Sequence, residues 1–212
     1  MSDEKHTFLP QHGHYKNLRV YAVTQALYDL TYYFNQRYMP SHGDRTVDQM
    51  IQSARSGKQN IAEGNQVSAT SSSTEILLTG VARGSLEELK ADFEDYLRTR
   101  SLTQWDKTHP RLIKLRAWTR TDNFKQHYMQ YAIKMNDEEL ANLCLTLCHQ
   151  SIYMLNKLID TQQDRFVTEG GIKERMYAAR TGYRQAEMEE LKRLREENQR
   201  LRALLKEHGI EG

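Results

Sequence analysis

Four groups of residues have types and spacings that could do chemistry. The first is in "SARSGKQNIAEGNQ", residues 53–66, where Gly57 precedes Lys58. A phosphate-cradling loop needs a preceding strand and a Ser or Thr after the Lys. Here Gln59 follows and the surrounding pattern is helical, so the phosphate loop is set aside. The second is Asn60 with Glu63, one helical turn apart. As a base or metal ligand Glu63 would need company, such as the Glu-x-x-His pairs of di-iron bundles, and the chain has none. A polar pair that bonds a neighbouring helix end is expected instead, because buried polar groups require partners.

The third group is Cys144, Cys148 and His149. Zinc wants four ligands, commonly with a second close pair. His12 and His14 are the only other close pair, with nothing to fix them nearby. Cysteine also serves as a small core residue, and that role is expected here. The fourth group is the richest. Arg98, Arg100, Lys107, Arg111, Lys114, Arg116, Arg120 and Lys125 interleave with Trp105, Trp118, Phe124 and Tyr128. Cations neutralise phosphates and rings stack on bases, so these eight cations are the candidate nucleic-acid contacts. The alternatives are a solvated face whose rings cover a helix-bundle end, or a docking face for an acidic helix of another subunit. No nucleophile–base pair or glycine-rich cofactor loop appears. No enzyme, cofactor or metal site is expected.

Charge supports a localised interface rather than a generally basic protein. The 212 residues carry a net charge of +2, with pI near 8.4. Residues 63–96 hold 7 acidic and 2 basic side chains, whereas residues 98–131 hold 8 basic and 2 acidic ones. Such a split serves head-to-tail self-association or an anionic ligand. Two cysteines give no disulfide framework, and no apolar run approaches membrane-spanning length. A cytoplasmic protein without a membrane partner is expected.

The elements that must position these groups read as helices. Val20, Val23, Leu27, Leu30, Phe34 and Tyr38 recur at three- and four-residue steps. A second helix is expected to open on a Thr46/Gln49 capping box and to stop at Gly64. A third opens on Ser72/Glu75 and is lined by Leu78, Ala82, Ser85, Leu89, Phe93 and Tyr96. Gly80 and Gly84 interrupt it at a cost of about 1 kcal/mol each, which points to close approach of a neighbouring helix. An irregular connector leads to a fourth helix, boxed by Asn136/Glu139, with Leu140, Cys144, Leu147, Ser151, Leu155 and Leu158 on one face. Gly170-Gly171 then precedes a charged helix over residues 172–206. There Leu191, Asn198 and Leu205 fall at heptad a, and Leu194 and Leu201 at d. Glu190 and Glu197 at g face Arg195 and Arg202 at e of a parallel partner. These leucines and Asn198 are the expected oligomerisation contacts.

The fold expected is all-α: an up-down four-helix bundle over residues 17–164, a flexible 1–16 segment, and a coiled-coil-like C-terminal helix over 165–212. Asn60, Ile61, Ala62, Glu63 and Gly64, followed by "ARGSLEEL" with Arg83, Gly84, Glu87 and Glu88, carry a resemblance. They resemble the four-helix-bundle proteins encoded in intervening sequences of bacterial 23S ribosomal RNA genes. "EGGIKERMYAAR" looks like the suffix segment of one branch of that family. The resemblance implies an up-down bundle that assembles as a homo-oligomer, often a ring of five, and no known reaction. A related branch, the accessory variability proteins of diversity-generating retroelements, binds nucleic acid and a reverse transcriptase. The expectation is a non-enzymatic homo-oligomeric scaffold, pentamer or dimer, that binds RNA or DNA. The alternative is an adaptor that recruits a protein such as a reverse transcriptase through its bundle or coil.

Overall fold

The computed structural model describes residues 14–40 and 44–207, with side chains to residue 205. The expected N-terminal flexible segment and His12 lie almost wholly outside these residues. Regular structure among the described residues is entirely helical: α1 (Arg19–Tyr38), α2 (Arg45–Val67), α3 (Ser72–Thr99), α4 (Pro110–Trp118), α5 (Asp122–Ala132), α6 (Asp137–Glu169) and α7 (Ile172–Glu207). One compact unit runs to Thr168 and a second begins at Glu169.

In the first unit the apolar stripes of α1, α2, α3 and α6 meet in one core with Phe124 and Ala132 of α5. Val20, Val23, Leu27, Leu30 and Phe34 are buried from α1, while Tyr38 is half-buried and donates its hydroxyl to Met135 O at 2.6 Å. The Phe34 ring meets those of Phe93 and Tyr96 edge-on at 5.2 and 4.6 Å, an arrangement aromatic quadrupoles favour. From Leu140 to Cys148 every residue of α6 is buried, so this segment is covered on all sides.

Helix ends follow the expected chemistry with shifted positions. The α2 cap is Asp44, whose carboxylate accepts the Thr46 N–H at 2.9 Å, rather than Thr46 itself. The Asp44 carboxylate, one bond longer in reach than a Thr hydroxyl, accepts the second helical N–H directly. The α3 cap is Ser71 rather than Ser72, accepting the Thr74 N–H at 3.2 Å. The Asn136/Glu139 box closes in both directions, at 2.8 and 3.2 Å. At the end of α3, Ser101 takes φ 55 and Leu102 N–H reaches back to Leu97 O at 2.9 Å, a Schellman closure. Gly170, with φ 71, ends α6.

The glycine expectations are corrected. α2 does not stop at Gly64 but continues to Val67. Nothing lies within 4 Å of where a Cβ on Gly80 or Gly84 would stand, so no helix approaches there. The close approach belongs to α2. A Cβ on Gly57 would stand 2.6 Å from Leu86 Cδ2, and one on Gly64 would touch Glu75 O and Leu78 Cβ at 3.4 Å. Bare backbone at these two positions lets α2 and α3 come together.

Asn60 and Glu63 do not bond a neighbouring helix end. Glu63 is exposed and, among the described residues, accepts only Gln59 Nε2, at 3.3 Å. Asn60 Nδ2 bonds Ser56 O at 2.9 Å and Ser56 Oγ at 3.1 Å, within its own helix. The link across to α3 is the Ser56–Ser85 hydroxyl pair at 2.9 Å, with Ser53 Oγ donating to Glu88 at 3.3 Å one turn away. Arg83 instead reaches α6 through Asn156, at 3.1 Å, and Glu87 pairs with Lys90. Lys58 bonds Gln25 of α1 at 3.2 Å and sits over the Tyr28 ring at 4.5 Å, so it holds α1 rather than a phosphate.

Candidate nucleic-acid interface

The basic connector is positioned from α6. Glu138 and Asn142, one turn apart on that helix, hold the segment over residues 101–109 like two pegs. The Glu138 carboxylate accepts Thr103 N–H at 2.9 Å and Trp105 Nε1–H at 3.1 Å. Asn142 accepts Trp105 N–H at 2.8 Å and donates to Thr103 O at 2.9 Å and Glu138 O at 2.8 Å. Each neutral bond contributes about 1 kcal/mol net, those to the carboxylate about 1.5–3. Trp105 is thereby buried and stacks on His109 at 4.8 Å. Asp106 Oδ1 accepts the Thr108 N–H at 2.7 Å and its hydroxyl at 2.6 Å, an Asx turn that sets up Pro110 as the first residue of α4. At the other end of α4, Gln150 of α6 donates to Thr119 Oγ at 2.7 Å.

The eight expected cations divide among different surroundings. Arg98 pairs with Asp95 at 2.7 Å, Lys125 with Asp122 at 2.8 Å, and Arg111 with Glu139 at 3.0 Å. Arg100 lies over the Tyr96 ring at 3.9 Å. The Tyr96 phenol, pushed up to about 12 by burial and then by the Asp137 charge, donates to Asp137 at 3.2 Å. Lys107, Arg116 and Arg120 converge on a concavity of about 670 Å³, and among the described residues none of them has a carboxylate within ion-pair distance. Lys114 lines a smaller one of about 340 Å³ with Arg111 and Glu139. Trp105 is the wall the two share.

The rings expected to stack on bases are largely consumed by packing. Phe124 is buried, Trp118 meets Phe124 and Tyr131 edge-on at 4.9 and 5.0 Å, and Tyr128 donates its hydroxyl to Asp29 of α1 at 2.6 Å. Burial and that bond push the Tyr128 phenol far up, so it stays protonated. These three rings cover the end of the core. The larger concavity is furnished instead from α6, by His149, Gln150 and the exposed ring of Tyr153. Partial shielding from water, then the Lys90 charge, pushes the His149 pKa down, leaving it neutral at pH 7. Residues i, i+1 and i+4 after a buried stripe are the positions that roll out of a core, which is the only sequence signal they carry.

No protein-family model, curated protein or solved structure matches the chain.

The cysteine group does not assemble as a ligand set. Cys144 and Cys148 are fully buried in the core, and burial pushes both thiols well above their ordinary value. His149 points toward the concavity on another side of α6, and His14 is exposed. Among the described residues no group of three or more His, Cys, Asp or Glu is placed to hold a metal ion. No helix there is long and apolar enough to cross a membrane.

Proposed function

We propose that this chain is a non-enzymatic, homo-oligomeric scaffold, an up-down four-helix bundle with a coiled-coil-like tail, that binds RNA or DNA. The observation that carries the reading is the convergence of Lys107, Arg116 and Arg120 without acidic partners, while their neighbours Arg98, Arg111 and Lys125 are neutralised. Unneutralised cations are the ones that release counterions from a phosphate backbone. Of the motif residues that carry the family resemblance, Gly64 and Glu88 lie at the α2–α3 contact and Arg83 at the α3–α6 contact, which supports a role for these three in the bundle itself.

Self-association rests on α7, where Leu191, Leu194, Leu201 and Leu205 are between 41% and 53% exposed along one heptad seam. A parallel second copy would cover that seam and bring each Glu at g against an Arg at e. The same seam would serve the adaptor reading, with a heterologous helix such as one from a reverse transcriptase in place of the second copy.

Titration of single- and double-stranded RNA and DNA at two salt concentrations tests nucleic-acid binding. Three phosphate contacts on a single strand give a log–log salt slope of about −2, and Arg116→Glu with Arg120→Glu should remove more than half of it. Unchanged affinity and slope in that variant would take the connector out of the reading.

A further inference from the structure

We propose that the concavity between the 104–107 segment, α4 and α6 is a binding site for one nucleoside phosphate, held by its phosphate on Arg116, Arg120 and Lys107 and by its base against Tyr153. This deepens the proposed nucleic-acid reading and rests on the same cations.

A strand-tracking groove spreads its cations along a path. Here three cations from two segments face one recess, and the recess is of ligand-binding size at about 670 Å³. That is far more room than an inorganic anion fills. Arg116 and Arg120 stand four residues apart where α4 ends, so their forks can take adjacent oxygens of one phosphate. Lys107 adds a third charge from the 104–107 segment.

The rest of the lining suits a flat heterocycle. Leu112 and Leu145 contribute apolar lining, and Tyr153, 65% exposed, contributes an aromatic ring. Neutral His149 and Gln104 supply hydrogen-bonding edges. The single carboxylate in the lining, Asp106, already takes two donors from Thr108, which turns its charge toward its own loop. The walls are preformed, since Glu138, Asn142 and Gln150 pin both sides to α6. Preorganisation of this kind lowers the ordering cost of binding.

The same chemistry can arrive as a free nucleotide or as the terminal nucleotide of a strand. Calorimetric titration of the full chain with the four 5′-mononucleotides, a nucleoside and inorganic phosphate separates the ligand's parts. Competition of each mononucleotide against a labelled 5′-phosphorylated RNA oligomer separates the two sources. One nucleotide should bind per chain, at least about tenfold more tightly than inorganic phosphate, a difference of about 1.4 kcal/mol. Arg120→Ala should weaken nucleotide and phosphate together. Tyr153→Ala should weaken the nucleotide about fivefold or more and leave phosphate unchanged, as expected for lost stacking. Lys125→Ala, whose cation is paired outside the recess, is the control and should change neither.

Mononucleotide competing with the oligomer assigns the site to a strand end. Mononucleotide binding without oligomer binding keeps the site and overturns the nucleic-acid reading. Oligomer binding with no mononucleotide saturation by about 5 mM overturns the site and leaves that reading standing. Equal affinity for phosphate and nucleotide, with Tyr153→Ala silent, also overturns it, because the recess would then be an anion patch only.

Discussion

Gly57 of α2 faces Leu86 of α3 so closely that a Cβ would stand 2.6 Å from Leu86 Cδ2 and 2.9 Å from Cγ. Leu86 is fully buried, so any shift it makes is absorbed by its core neighbours. Gly57→Ala gains about 1 kcal/mol of helix propensity but incurs about 1–3 kcal/mol of overpacking. The net expectation is a loss of about 1 kcal/mol in urea unfolding. Gly84→Ala, with open space around the new methyl, should instead gain about 0.5–1 kcal/mol. Equal gains at both positions would mean that α2 and α3 are farther apart than described.

The carboxylate of Glu75, almost wholly buried, is paired with Arg165 across α3 and α6. Burial pushes the Glu75 carboxyl up despite that partner. Arg165→Ala therefore leaves a buried charge alone and should cost about 2 kcal/mol, below the usual buried-pair figure because Arg165 is 40% exposed. Adding Glu75→Gln should recover most of the loss. A double-mutant cycle by thermal unfolding measures the coupling, and a strictly additive result would show that the pair contributes nothing.

Asp92 gives the chain a pH signature. Its Oδ2 is buried without a hydrogen-bond partner among the described residues, and burial, followed by the charges of Asp95 and Glu88, raises its pKa to about 6. The native state thus binds this proton more tightly than the unfolded chain does. The stabilisation from protonation is complete below the ordinary value of 3.8 and is lost as pH rises to about 6. Asp92→Asn should flatten this part of the pH profile and raise stability at pH 7 by about 1 kcal/mol, after discounting for partial exposure. The check is the difference between variant and wild type in urea unfolding from about pH 4 to 8, where a constant difference would rule the ionisation out.

Self-association through α7 predicts that Leu194→Glu with Leu201→Glu abolishes concentration-dependent sedimentation. The melting of the unit that ends at Thr168 should stay unchanged. Asn198→Ile should strengthen association while relaxing its strand number, as loss of a polar a residue does. An oligomer indifferent to all three changes would have to be held by the first unit.

The stripes of α1 and α6 were legible because a 3.6-residue apolar period survives in sequence whatever packs on it. Val20 to Phe34 and Leu140 to Leu155 are buried as that period requires. Helix α3 buries Ala82, Leu89, Phe93 and Tyr96 as expected, but Thr79 and Leu86 in place of Leu78 and Ser85. The glycines misled for a physical reason. Gly80 and Gly84 have the small-residue spacing of a helix contact, but which face meets a neighbour depends on tertiary packing that spacing does not encode. The caps shifted by one or two residues because Asp44 is a stronger cap than Thr46, and Ser71 competes with an adjacent serine of equal capping ability. At the candidate site the cations were visible as a run, but their partners were not. Asp95 and Asp122 are near in sequence, whereas Glu139 reaches Arg111 only through the fold. Tyr153 and His149 come from α6, more than thirty residues downstream of Arg116, and nothing local ties them to it.

The all-round burial of residues 140–148 leaves this part of α6 without a neutral side. One half of its circumference fills the core, and the other half, through Asn142 and its neighbours, carries the connector and its recess. An exhaustive substitution scan should therefore show intolerance with no helical rhythm up to Cys148, and a 3.6-residue rhythm returning from His149 onward. Core packing and the anchoring of the connector draw on the same nine positions, so neither surface can drift without the other registering it.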